Sequence, residues 1–179
     1  PYRMGTGYIY QMDEEDKAIG ENAYFVKKVY TIGAPDLISQ KYLAPPLIGA
    51  INSGHYDTIK MTVNKMGKFN KDDVDRAYKG KGRKTSLIVA DVIEQSKDRK
   101  GVMFFAATVQ HAEEILASLP PEISAIVTAK TNTKQRKKII SEFKNQQIKY
   151  IVNVSVLTVG FDAPHADVIA LLRATESSR

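Results

Sequence analysis

The sequence predicts an α/β domain: a parallel β-sheet with helices on both of its faces. Three observations lead there. Short, largely β-branched or aliphatic runs recur at Val102 to Ala106, Ile123 to Val127, Tyr150 to Val154 and Val168 to Leu172. They are continuously apolar rather than alternating, as strands covered from both sides require. Helical patterns separate the first three of them, and strand, helix, strand, helix, strand is how a parallel sheet is written. In open sheets of this class ligands collect outside the carboxyl ends of the strands. That rule places Thr158, Gly160 and Asp162, between the last two runs, in or near such a crevice.

Taken in order, Pro1 to Met12 ends in an apolar-aromatic alternation and reads as cut from a longer chain, and Asp13 to Asn22 is an acidic loop. Tyr24 to Ile32 is expected as a strand although Lys27 and Lys28 interrupt it. Pro35 and Asp36 open a short helix to Tyr42, and the Pro45-Pro46 pair prevents its continuation. Leu47 to Ile51 and Thr58 to Val63 are expected strands of a small hairpin about Asn52-Ser53-Gly54, with a further turn at Gly67 to Asn70. Asp72, Asp73 and Val74 open a small helix. Thr85 to Lys97 is amphipathic, with Leu87, Ile88, Val92 and Ile93 turned inward.

After the first regular strand, Thr108 can cap a helix over Gln110 to Leu119, which Pro120-Pro121 ends. Thr131 or Thr133 caps a basic helix running to Phe143. The expected divisions are 1–33, the tail of a preceding domain; 34–100, a linker with a hairpin and a helix; and 101–179, the main α/β domain.

Totals exclude several classes. The 179 residues suffice for one ordinary domain, or a domain with a piece of another. No apolar stretch approaches the ~18 residues of a membrane span. No signal peptide is visible, so a cytoplasmic protein is expected. With Cys 0, disulfides and thiolate metal sites are ruled out, and the three His show no ligand spacing. Lys+Arg of 26 against Asp+Glu of 20 gives +6, which favours polyanionic partners. The surplus lies in Lys79 to Lys84, Lys97 to Lys100 and Lys130 to Lys144, stretches equally readable as solvated faces.

Two phosphate-site look-alikes fail. In Gly80 to Ser86, GKGRKTS, Arg83 and Tyr78 stand where a phosphate loop needs its glycines, and no apolar strand leads in. Asp13 to Asp16 is similar to a Mg²⁺-binding acidic box but reads as a solvated turn.

The most specific signal is a set of motifs in order. VMFFAATVQHA matches motif IV, the R-x-x-I-I-x-x-F-K helix matches the element before motif V, and VNVSVLTVGFDAP with DVIALLRAT matches motif V and its strand. PYRMGTGYIY resembles the segment after motif III, and DLISQKYLAPP resembles the lead-in to a second domain. The chain therefore resembles the second RecA-like domain of a superfamily 2 DEAD/DEAH-type helicase or translocase, in particular the bacterial RadD-like (YejH-like) proteins.

The resemblance implies an ATP-driven motor on nucleic acid, with DNA favoured over RNA through the RadD-like group. ATP and Mg²⁺ would act in the full-length protein, with the phosphate loop and acidic box supplied by an N-terminal RecA-like domain in the same chain. By carry-over Gly160 approaches the phosphates, Asp162 binds a ribose hydroxyl or links the nucleotide to the strand, and Thr108, Asn153 and Thr158 touch the nucleic-acid backbone. Such contacts hold phosphates without reading bases. No catalytic residue or metal ligand is carried over. The family's Q-x-x-G-R-x-x-R motif, with the arginines that stabilise phosphoryl transfer, does not occur in these residues, so the chain alone is not expected to hydrolyse ATP. The alternative is a non-catalytic α/β module that binds polyanions or a protein. Phe104, Phe105 and Phe161 are expected in the core, Arg173 in a structural salt bridge, and Arg136 and Lys137 on a solvated face.

Overall fold

A computed structural model describes residues 3–4, 7–8, 27, 29–49, 54–157 and 161–175. The chain divides into two compact units, Pro1–Ile48 and Gly49–Arg179.

In the first unit β1 (Arg3–Met4) pairs antiparallel with β2 (Gly7–Tyr8). Helix α1 (Ala34–Ser39) begins where expected, with Pro35 in its first turn and the Asp36 carboxylate accepting the Gly33 N–H at 3.1 Å. The strand expected to run to Ile32 is not found in the described part. Val29 and Tyr30 lie exposed outside any strand, and Lys27 makes only an isolated bridge. Residues 24–26 and 28 lie outside the described residues.

In the second unit the expected hairpin forms elsewhere. Val63 bridges Phe69 across a turn in which Gly67 has φ 73° and Asn64 Oδ1 accepts the N–H groups of Met66 and Lys68. The Asn side chain satisfies the turn's amides and Gly supplies the left-handed residue, so the reversal sits here. Residues 58–62 make no strand, and of the other proposed arm Leu47 and Ile48 are exposed.

Helix α2 (Lys71–Tyr78) starts after Asn70, whose side-chain amide donates to Thr62 Oγ1 instead of capping the helix, and α3 spans Gly82–Gln95. The inward stripe of α3 is Thr85, Ile88, Val89 and Val92, while Leu87 is turned to solvent. The expected stripe was rotated by about one residue, because apolarity alone did not reveal that Thr85 is internal.

The sheet comes next: β3 (Gly101–Ala106), α4 (Val109–Ala117), a 3₁₀ turn at Pro121–Ile123, β4 (Ser124–Val127), α5 (Thr133–Lys144), β5 (Tyr150–Asn153) and β6 (Ala166–Leu172). Strand order is β4-β5-β3-β6 with every pair parallel. Asn132, not either threonine, caps α5, accepting the Gln135 N–H at 2.8 Å.

Strand alternation divides the core in two. Val102, Phe104 and Ala106 of β3, with Tyr150 and Val152 of β5 and Ala170 and Leu172 of β6, pack against α3 and α4. Met103 of β3, Val127 of β4 and Ile151 of β5 face the opposite way, against Ile139 and Phe143 of α5. Phe104 is therefore core as expected, and Phe105 and Phe161 are half-buried against the second cluster. Full cover was expected for β6 too, but Ile169 and Leu171 are 63% and 66% exposed. This strand is at the sheet edge, and α5 packs on the far side, against β4. No helix of the described residues is long and apolar enough to cross a membrane.

Candidate functional site

The parallel strands bring their carboxyl ends to one edge of the sheet. There β3 passes through Ala107 to Thr108, which holds extended backbone (φ −138°, ψ 167°) and caps α4. Thr108 Oγ1 accepts the His111 N–H at 3.1 Å, and its hydroxyl proton has no acceptor among the described residues.

His111 is wholly buried one turn into α4. Its Nδ1 accepts the Ala107 N–H at 3.3 Å, so the neutral ring carries its proton on Nε2 and donates to the Tyr56 hydroxyl at 2.9 Å. Tyr56 donates to Thr85 Oγ1 at 3.0 Å, and Thr85 to Glu114 at 3.4 Å. The other Glu114 oxygen accepts the Gly80 N–H at 2.9 Å. Tyr78 stacks on His111 with ring centroids 5.1 Å apart, and its hydroxyl accepts the Ala174 N–H, just after β6, at 2.6 Å.

Burial pushes the His111 imidazolium down to about 4, because the charged ring would sit among apolar walls. Burial likewise pushes the Tyr56 phenol up to about 12, against the Thr85 hydrogen bond and with the Glu114 charge adding to the rise. The His111 and Tyr56 rings are thus neutral at pH 7. The network braces both backbone ends of the β3–α4 loop. Sequence reasoning missed it, although the signal existed: Thr85 and His111 are polar residues standing on otherwise apolar helix stripes.

On the neighbouring strand Asn153 ends β5 in register with Phe105 and Val127. Its side chain is fully buried, with Nδ2 donating to the Phe104 carbonyl at 3.0 Å and Oδ1 without a partner among the described residues. The chain then turns at Ser155, φ 54°. Thr158 and Gly160, two of the residues expected at the crevice, lie outside the described residues. Asp162 is exposed just beyond them, after Phe161, whose ring lies 6.2 Å from that of Phe143. Arg173 forms no salt bridge among the described residues. It donates to Ser155 Oγ at 3.0 Å and lies 6.0 Å over the Phe105 ring, tying the end of β6 to the turn after β5. No group of three or more His, Asp or Glu side chains gathers as a metal site among the described residues. Of the five residues proposed from the sequence, Thr108 and Asn153 are brought to adjacent strand ends, and Asp162 is at the surface of the loop between β5 and β6.

A four-stranded, wholly parallel sheet with helices on both faces is the architecture of a RecA-like helicase C-terminal domain. The chain belongs to the helicase conserved C-terminal domain family, whose model matches residues 83–179. It is similar to a 51.5 kDa protein of Lactococcus phage (isolate 7-9), at 30% identity over 149 residues, 79% of this chain. The chain spans 30% of the length of that curated relative. Among solved structures it is similar to the Pyrococcus furiosus Hef helicase domain, at 19% identity and TM-score 0.41 over 52% of this chain and 20% of the other. It is also similar to the Sulfolobus solfataricus SWI2/SNF2 ATPase C-terminal domain, at 22% identity and TM-score 0.44 over 57% and 50%.

Proposed function

We propose that the chain is the second half of an ATP-dependent nucleic-acid motor: it closes over ATP held by a preceding RecA-like domain and grips one strand by its backbone. The observation that supports this most directly is Thr108, presented at the carboxyl end of β3 with its hydroxyl proton unused and its loop locked from behind by His111. A fixed hydroxyl donor beside the start of a helix suits a phosphate oxygen and reads no base. Thr158 would make the second such contact. Asn153 enters differently from the direct contact its motif position implies. Its free atom is an acceptor, which a phosphate oxygen cannot pair with, and its amide donates to β3. Its role is to hold the ends of β3 and β5 together behind the loops.

Gly160 and Asp162 are assigned to the nucleotide, and the exposed Asp162 carboxylate is suited to accept from a ribose hydroxyl. Mg²⁺ is assigned to the acidic box of the preceding domain. Without a phosphate loop in this sequence, ATP turnover needs that domain as well. DNA is favoured over RNA only through the RadD-like resemblance.

The test is equilibrium binding of a labelled single-stranded oligonucleotide. Thr108→Ala combined with Thr158→Ala is expected to lower affinity at least several-fold at constant salt. Unchanged affinity sinks the strand-gripping role and leaves a chain that binds polyanions only through its basic faces.

A further inference from the structure

A cavity of about 400 Å³ opens between residues 57–61, α2 and the start of α3, well apart in sequence from the helicase motifs. Lys60, Arg76, Lys81 and Lys84 line it together with Asp57 and Asp73. A second hollow shares Lys81 and Lys84 and adds Arg83. The two make a continuous strip over the GKGRKTS stretch, whose resemblance to a phosphate loop came to nothing.

The charges do not cancel. Asp73 is committed: its Oδ2 accepts the Thr62 N–H at 2.8 Å and the Thr62 hydroxyl at 2.6 Å, while Oδ1 pairs with Arg76. The Thr62 hydroxyl and N–H, and then Arg76, hold the Asp73 carboxyl below its usual range, so it stays ionised and occupied. Lys84 donates one N–H to the His55 carbonyl at 3.0 Å and keeps two. The side chains of Lys60, Lys81 and Arg83 have no hydrogen-bond or ion-pair partner among the described residues. Lys60, Lys81 and Lys84 in the first hollow, with Arg83 in the second, therefore outnumber Asp57, the remaining carboxylate of the lining.

The lining points to the ligand class. It is rich in Lys, has no aromatic ring on which a base could stack, and extends as a strip rather than closing as a socket. That composition suits a run of phosphates and not a base or a small apolar ligand. The strip is also tied to the proposed grip. Gly80 donates to Glu114, six residues along α4 from Thr108, which is about 9 Å of helix axis. One strand covers such a distance in a few nucleotide steps of about 3.4 Å.

We propose that this strip is a second phosphodiester-binding surface, which holds the strand beyond the motif-bearing edge. The proposal rests on the reading of the chain as a nucleic-acid-binding half-motor.

The experiment is a salt titration of fluorescein-labelled oligo(dT) binding by fluorescence anisotropy. It compares the unsubstituted chain with Lys60→Ala/Lys81→Ala, both exposed side chains whose loss should leave the melting temperature unchanged. Losing two phosphate contacts is expected to make the slope of log K against log salt shallower by about 1.4, at ~0.7 per contact on a single strand. Lys60→Glu/Lys81→Glu should reduce it further. Lys134→Ala/Lys137→Ala, which removes the same charge from α5, should leave the slope alone. An equal loss in that control overturns the strip in favour of diffuse attraction. An unchanged slope in the Lys60/Lys81 variants, while Thr108→Ala/Thr158→Ala still weakens binding, overturns the strip and keeps the motor reading. No binding by the unsubstituted chain overturns both.

Discussion

The two faces of the sheet are finished differently. On one, α3 and α4 close over β3, β5 and β6 with a continuous apolar cluster, and a buried polar network seals its edge at the β3–α4 loop. On the other, α5 covers β4 and its neighbours, and the outward residues of β6, Ile169 and Leu171, remain exposed. The first face can hold a loop in one geometry because the polar groups behind the loop are paired with one another. The second carries the loop between β5 and β6, of whose described residues Leu157 is buried, Val156, Phe161 and Ala163 pack against the cluster, and Ser155 accepts from Arg173.

The sharpest way to break this contrast is to empty the covered face. Phe104→Ala should cost about 3–5 kcal/mol in chemical unfolding, since a fully buried ring is lost between α3 and α4. A cost below about 1 kcal/mol would mean that the face is not packed as described.

Acid titration comes next. The unfolded His111 takes up a proton near pH 6.5 and the folded one not until about 4, so the folded state binds fewer protons across that window. Stability should be full above pH 6.5 and fall by up to about 3 kcal/mol as the pH drops to about 4. Thermal melts of His111→Gln should lose this dependence. If the wild-type profile is flat over the same range, the imidazole is not sealed in.

Thr108→Ala should destabilise by about 1 kcal/mol through the lost cap alone, and its effect on strand binding should exceed what that loss explains. At the small end, Ile169→Ser on the open side of β6 should shift stability by no more than about 0.5 kcal/mol. A cost of several kcal/mol would show that this side is covered in solution and would erase the difference between the faces.

The repeating part of the fold was legible because continuous apolar runs and capping residues are local chemistry. Val102 to Ala106 and Tyr150 to Asn153 are strands, and Thr108 is a cap, within a residue or so of expectation. The segment from Ile51 to Lys100 was read less well. Thr58 to Val63 has β-branched residues, but only its end pairs, through the single bridge from Val63 to Phe69, and strand propensity without a partner along its length does not make a strand. In α3 the inward face could not be chosen from apolarity, because Thr85 is buried for its hydrogen bonds and Leu87 is left outside.

The sequence by itself determined the α/β class, the order of the sheet's strands and helices along the chain, and the motif-bearing loops, because each depends on patterns a few residues long. Only the tertiary structure decided that Tyr56, Tyr78, Thr85, His111 and Glu114 meet behind Thr108, that Asn153 points into the core, and that Lys60 joins Lys81 and Lys84 in one strip. The hydrogen bond from His111 to Tyr56 alone spans 55 positions, and a hydrogen bond or a charge field depends on separation in space, about which spacing along the chain is silent.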